Sequence, residues 1–425
     1  TNAMNLSSWT NLECVGNYGL NEFMKSCSNT SSVNLSGWNL PNANNSSNVL
    51  LNVGNGLAVG TDFDLDNMTW GANSSLASFM QGAQIKTLTM QNWTLSASVN
   101  LYMGNFLYQA DSGAAASIAL DLSGWTNTNK ISGLSNFMRA STATSSPFIS
   151  LNPTGWDTSG FTNLSFAFYN CAFLTEITGL GGWKGDGVTN LLQTWNNCAR
   201  LNFTNHNFDT TLWGAALTNL TGSMQNTFQS CGKANLGSAP NLTNWYVNNV
   251  TNFSSTFYNA AFTTNIDVST WNFGSATTLS QMMRNVGGTT TFTFNNISSS
   301  CTNFGSKFRD CDDTTTVIYS SSCDLSGITT YSHYAYSANN LATQTFDSGV
   351  SFAAVTTFQN AWAITSLNTA SYDQILIRAE ATNSNTVNLH AGSAKYTKAP
   401  SAAATARAAL IADHSWTITD GGPTP

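Results

Sequence analysis

Tryptophan recurs along this chain at a nearly fixed interval. Trp9, Trp38, Trp70, Trp93, Trp125, Trp156, Trp183, Trp213, Trp245 and Trp271 follow at spacings from 23 residues (Trp70 to Trp93) to 32 (Trp213 to Trp245). The text between them repeats as well. Thr162-Asn163-Leu164-Ser165-Phe166-Ala167-Phe168-Tyr169-Asn170-Cys171 matches Thr251-Asn252-Phe253-Ser254-Ser255-Thr256-Phe257-Tyr258-Asn259-Ala260. A period of this size means stacked supersecondary units, none able to bury its apolar face alone. Stacking lifts the size limit of a closed core, so 425 residues need not divide into two or three globular domains.

Within one repeat, Asp157 to Gly160 is turn chemistry. Thr162 and Asn163 suit an N-cap. Leu164, Phe168 and Cys171 then lie at helical spacing, which predicts a short helix. Leu174 to Ile177 reads as a short strand, ended by Gly179, Gly181 and Gly182. Val33 to Leu35 and Thr87 to Met90 alternate apolar with Thr or Asn, the period of a half-buried strand, and Phe148 to Leu151 and Thr316 to Tyr319 stand at the strand place of their repeats. The expected fold class is therefore α/β: an elongated, leucine-rich-repeat-like solenoid with a short helix and a short parallel strand per repeat. About 12 repeats of 23–32 residues fill 1–370, and 371–425 form a C-terminal cap. The tryptophans are expected to pack in the core; an exposed row for stacking on sugars is the sharper alternative. Past Trp271, Ile297, Ile328 and Phe352 take their place. In the cap, Tyr372 to Ala379 and Ser401 to His414 read as helices, the second with Ser401 as N-cap and Ala404, Ala408 and Ile411 as its buried stripe. Trp416 to Thr419 reads as a strand.

Cysteine usage fits the same repeat. Cys27, Cys171, Cys198, Cys231 and Cys311 each follow an aromatic residue by three or four positions, where other repeats place Ala140, Ala260 or Ala361. A slot that takes Cys or Ala is small, apolar and buried, so these thiols are expected to be unbridged. Cys14, Cys301 and Cys323 fall outside it. No C-x-x-C pair exists.

Charged residues make up 8% of the chain and the formal net charge is -7. Ordinary soluble domains carry roughly 25%. With 14 Lys plus Arg and no cluster of them, a phosphate-neutralising surface for nucleic acid is excluded. No apolar run is long enough to span a membrane. The chain opens Thr1-Asn2-Ala3-Met4, which reads as a processed or incompletely observed start.

Taken together, Val250 to Ala260 and Phe161 to Cys171, each followed by a strand and a Trp, resemble the BspA-like leucine-rich-repeat surface proteins. Ala403 to Ile411, followed by Trp416 to Gly422, is similar to the closing segment of such proteins. The resemblance covers most of the chain and is weakest around Asn39 to Thr61 and Tyr331 to Phe352. It implies an exposed adhesive or structural role on a bacterial surface or, as similar repeats do, in a phage particle. It brings no catalytic residues. The repeats here are longer and less regular than the family's, and carry fewer charges.

Asp62, Asp64 and Asp66 alternate along Asp62-Phe63-Asp64-Leu65-Asp66-Asn67 and form the candidate metal site, for calcium. Counted as a calcium-binding loop, its sixth place is Asn67 rather than Gly and its twelfth Asn73 rather than Glu. An outward-facing strand explains the alternation equally well. Asp310-Cys311-Asp312-Asp313 reads as a solvated turn. His206, His333, His390 and His414 have no metal-ligand spacing. No nucleophile elbow or phosphate-binding loop occurs, so no catalytic or cofactor-binding residue is expected. Thr289 to Phe294 and Lys86 to Thr89 present threonine rows that suit either a flat binding array or an exposed strand face. The expectation is a non-enzymatic extracellular protein. A phage virion surface or fibre component is placed first, and a bacterial adhesin for host protein or glycan second. A polysaccharide-active enzyme is placed third. Expected partners are host-surface protein or glycan, other virion or surface proteins, and further copies of the chain.

Overall fold

The computed structural model describes residues 2–8, 20–43, 45–71, 74–112, 117–203, 213–234, 237–347 and 350–425. Trp9, Cys14, Asn73 and His206 lie outside the described residues. Among the described residues the chain winds as a parallel β-solenoid of about 13 turns. Its coils fall into two compact units, Thr1–Asn219 and Leu220–Pro425.

In the first unit, Asn2–Asn5, Thr30–Asn34, Thr61–Asp64 and Ile85–Thr89 form a four-stranded sheet in that order, every pair parallel. Val33, Phe63 and Leu88 lie in register and are buried, while Asn34, Asp64 and Thr89 form the row beside them. A second sheet joins Ile118–Asp121, Phe148–Asn152 and Glu176–Ile177, so the strand expected from Leu174 shrinks to its last two residues. In the second unit, Thr291–Phe294, Thr316–Tyr319 and Thr343–Phe346 pair in parallel. Single bridges from Ser223 through Asn252, Thr278, Asn303 and Thr330 to Thr357 carry a further ladder across its coils.

Among the described residues the helix expected in each repeat is not found. Leu164 to Cys171 is a run of four-residue turns: Ala167, Tyr169 and Cys171 donate N–H to the carbonyls of Leu164, Phe166 and Phe168. The intervening N–H groups, on Leu164, Phe166, Phe168 and Asn170, donate to Asn190, Leu192, Thr194 and Asn196 of the next coil. An α-helix would keep every one of these bonds within itself. Two left-handed residues four apart, Phe166 (φ 58°) and Asn170 (φ 62°), enforce the turns and carry the type II signature. The same pair recurs at Gln193 and Asn197, Ser255 and Asn259, Gln281 and Asn285, and Ser306 and Asp310. A left-handed conformation costs most L-residues roughly 1–2 kcal/mol, and Asn and Asp tolerate it best. The second position accordingly holds Asn or Asp in these coils. Its side chain then bridges coils: Asn197 Nδ2 donates to Asn170 Oδ1 at 3.0 Å, and Asn285 Nδ2 to Asn259 Oδ1 at 2.8 Å. The i, i+4, i+7 apolar spacing thus belongs to a turn series that repeats every four residues, close enough to 3.6 to imitate a helix.

The core is aromatic. Trp93 and Trp125 stack with centroids 4.6 Å apart and 4° between planes. Trp70 leans on Trp93, and Trp245 stacks on Trp271. Phe161 is wedged between Trp156 and Trp183. Trp125 and Trp271 give their indole N–H to carbonyls of preceding coils, at Met90 and Leu242. Phe168, Phe228, Phe257 and Phe308 are buried, as are Ile297, Ile328 and Phe352. Cys171, Cys198, Cys231, Cys301, Cys311 and Cys323 are buried and in no disulfide, and Cys27, also unbridged, is half-buried. Cys171 Sγ lies 3.1 Å from the Met138 carbonyl, a weak hydrogen bond. Cys171→Ala removes one sulfur and that bond, so urea unfolding should register a loss of only about 1 kcal/mol. A loss of several times that would mean the slot is not interchangeable.

Among the described residues two α-helices occur, α1 (Thr369–Thr382) and α2 (Ala402–Ala412), both in the second unit. Asn368 and Ser401 cap them, each accepting from the N–H three residues on. The buried stripe of α2 is Ala403, Ala406 and Leu410 rather than Ala404, Ala408 and Ile411; Ile411 is 42% exposed. Arg407 fixes that rotation, because its Nε pairs with Asp420 at 2.8 Å while Tyr372 of α1 donates to the same carboxylate at 2.8 Å. No helix among the described residues is long and apolar enough to cross a membrane.

Candidate functional site

A groove lies over the four-stranded sheet of the first unit. Of about 560 Å³, it is lined by Asn5, Ser32, Asn34, Asp62, Asp64, Asp66, Thr87 and Thr89, floored by Val33 and Phe63. Alternation along Thr61–Asp64 turns Thr61 and Phe63 inward and aims Asp62 and Asp64 outward, side by side. Register then sets Ser32, Asp62 and Thr87 in one row, and Asn34, Asp64 and Thr89 in the next.

Each carboxylate meets donors from neighbouring coils. Asp62 accepts from Lys86 Nζ at 2.9 Å and Thr87 Oγ1 at 2.8 Å. Partial burial works against its ionisation, but the Lys86 and Thr87 hydrogen bonds and the Lys86 charge outweigh it, so its carboxyl stays below the usual range. Asp64 accepts from Asn34 Nδ2 at 3.0 Å, and Asp66 from the Gln91 N–H at 2.7 Å. Among the described residues no group of three or more His, Cys, Asp or Glu is placed to hold a metal ion. Asp62 already has an ammonium in the place a cation would take. The donor set fits calcium poorly.

The other sequence candidates disperse. Asp310 meets Arg284 and Arg309, Asp312 meets Asn339, and Asp313 accepts from the Gly288 N–H. The threonines of Thr291–Phe294 and Ile85–Thr89 face outward between buried Phe292, Phe294 and Leu88. His333 and His390, far apart in sequence, converge on Asn360, at 3.2 Å and 2.8 Å. Only the coil register, placing residues about one repeat apart side by side, could have revealed that pair.

Sequence reasoning also missed Lys307. It is fully buried, with Nζ 3.4 Å from the Phe294 ring centroid and 4.3 Å from that of Phe304. Nζ contacts Tyr319 Oη at 3.3 Å, which hydrogen-bonds Tyr334 Oη at 2.7 Å. Gln344 donates to Tyr334 at 3.1 Å and accepts from Trp362 Nε1 at 2.7 Å. Burial pushes the amine well below the usual lysine range, and pushes the Cys301 thiol up to about 11. This is a polar string inside the core.

The chain was compared with known proteins. No curated protein and no solved structure matches it. A family model does match, over residues 134–219 and 221–348, just over half of the chain. Those residues hold the turn series, its left-handed Asn and Asp positions, and the Phe and Cys slots described above. A match of that extent, over the residues that build the coil, shows that the chain belongs to the family described as Mycoplasma protein of unknown function, DUF285.

Proposed function

We propose that this chain is a non-enzymatic attachment and structural module that works outside the cell through exposed, mostly uncharged coil faces. The observation that carries the reading is the pair of polar rows over the first sheet, Ser32-Asp62-Thr87 and Asn34-Asp64-Thr89, repeated without a convergent catalytic group. Asp62 and Asp64 project side by side from one strand rather than facing each other across a cleft, which disfavours a glycoside-cleaving pair. Membership in a family described from Mycoplasma favours a bacterial surface over a virion. The resemblance to BspA-like proteins points the same way, toward host protein, glycan or further copies as partners.

Neutral hydrogen bonds, stacking and bridging water are hardly weakened by salt. Adhesion of the purified chain to host cells should therefore fall less than in inverse proportion to NaCl between about 0.05 and 1 M. A steeper fall would place charge in command and overturn the reading. Loss of adhesion on adding a chelator would restore calcium at Asp62, Asp64 and Asp66.

A further inference from the structure

Arg139 and Arg284 hold the same place in their coils, three residues after a left-handed residue (Asn136 and Gln281, both at φ 56°). Each donates from Nη1 to that residue's side-chain oxygen, at 3.0 Å and 3.3 Å. Each lies against the tyrosine of the preceding coil, Arg139 at 5.5 Å from the Tyr108 centroid and Arg284 at 5.2 Å from Tyr258. The difference is in the following coil. Arg284 Nε is 3.5 Å from Asp310 Oδ2, which also lies 3.3 Å from Arg309 Nε. Beside Arg139, the place of Asp310 is held by Asn170, at the same φ of 62°. Asn170 turns its amide to the Ala140 and Ser141 carbonyls and its Oδ1 to Asn197. Among the described residues no carboxylate forms an ion pair with Arg139.

The Arg139 guanidinium is nonetheless held in place. Phe166 and Tyr169 centroids lie 4.8 Å and 4.9 Å from it, besides Tyr108 and the Asn136 amide. A planar cation fixed by three rings loses little freedom on taking a ligand, and its fork geometry suits a carboxylate. In a chain of net charge -7, a half-buried guanidinium without an acidic partner calls for an anion from outside. Tyr108 and Tyr169 sit one coil to either side, so ring, cation and ring succeed one another at 5.5 Å and 4.9 Å. We infer that Tyr108, Arg139 and Tyr169 form a receptor for a carboxylated sugar chain, whose acid group pairs with the Arg139 guanidinium as Asp310 does with that of Arg284. Sugar rings also offer faces to stack on the flanking tyrosines, which the acid of a peptide does not. The inference rests on the attachment reading and narrows its ligand.

The test is titration of the full chain with oligogalacturonate, a neutral galactan oligomer of equal length, and oligoglutamate. Oligogalacturonate alone should bind. Arg139→Ala should weaken it at least tenfold and Arg139→Lys severalfold, while Arg284→Ala should leave it unchanged. If Arg139→Ala does not fold, as judged by tryptophan fluorescence, Arg139→Lys decides. No oligogalacturonate binding, equal binding of the neutral oligomer, tighter binding of oligoglutamate, or indifference to Arg139 each overturns the inference. Cell adhesion is measured in parallel. Adhesion that persists without oligogalacturonate binding removes this site alone, and wild-type chain that adheres to nothing removes the attachment reading.

Discussion

Lys307→Met should make the second unit more stable, by about 1–4 kcal/mol, the usual gain when a buried ionic group gives way to an apolar one of similar volume. The preceding coil holds Met282 at the equivalent place, the residue after the first left-handed position, so the slot accepts that side chain. The gain should depend on pH. Burial lowers the folded-state pKa of the amine well below its ordinary value, while the unfolded chain keeps an ordinary lysine. Between those two values the unfolded state binds the extra proton, so the wild type gains stability as pH rises and loses it as pH falls toward the folded value. The slope is about 1.4 kcal/mol per pH unit. Cys301, Cys311 and Cys323, whose thiols burial raises, and Tyr319, Tyr331 and Tyr334, whose phenols burial raises, oppose that trend in alkali. These groups titrate in alkali, above the range measured, so between pH 6 and 8 the difference between wild type and variant reads the lysine. Denaturant unfolding of both from pH 6 to 8 reads it. A difference independent of pH, with Met the less stable, would mean that Phe294, Phe304, Phe308 and Tyr319 hold the amine as a cation.

Phe257→Ala should destabilise its coil by roughly 3–5 kcal/mol, the cost of truncating a large buried aromatic whose cavity cannot collapse. Phe257 has no exposed surface and stacks on Phe228 at 5.4 Å and 3°. Trp271 closes its other flank at 6.1 Å. Its backbone N–H donates to Met282 of the next coil at 2.9 Å, so a shift of the ring would strain two coils at once. Because stability in a repeat array is a sum of nearest-neighbour terms, the loss should be local. Amide exchange should accelerate most in the coils around Phe228, Phe257 and Met282. Protection that falls evenly over the whole chain would show that the coils do not unfold as separable neighbours.

The repeat, its parallel stacking, the buried Phe and Cys slots and the two terminal helices, with the Ser401 cap of the second, were legible in the sequence; the Asn368 cap of the first was not. The turn series was not. Leu164, Phe168 and Cys171 sit at a spacing shared by a helix and by successive four-residue turns, and hydrophobic periodicity cannot separate 3.6 from 4 over two cycles. The recurrent Asn before the Cys or Ala slot carried the signal, since Asn170, Asn197 and Asn259 all adopt the left-handed conformation that ends a helix. For the candidate site, alternation at Asp62 and Asp64 gave the outward face correctly. What those carboxylates bind depends on which residues of the next coil fall opposite, here Lys86 and Thr87, and no local pattern sets that register.

Half of the N–H groups in each turn series find their acceptor in the adjoining coil. A segment running from one such row to the next, as from Asn252 to Thr277, is therefore bonded identically at its two boundaries. Duplicating or deleting one such segment leaves every donor with an acceptor, whereas an indel of a few residues orphans a whole row. Gene variants of this chain should thus differ in length by whole coils. The array can be lengthened or shortened by recombination while the faces it displays stay in line.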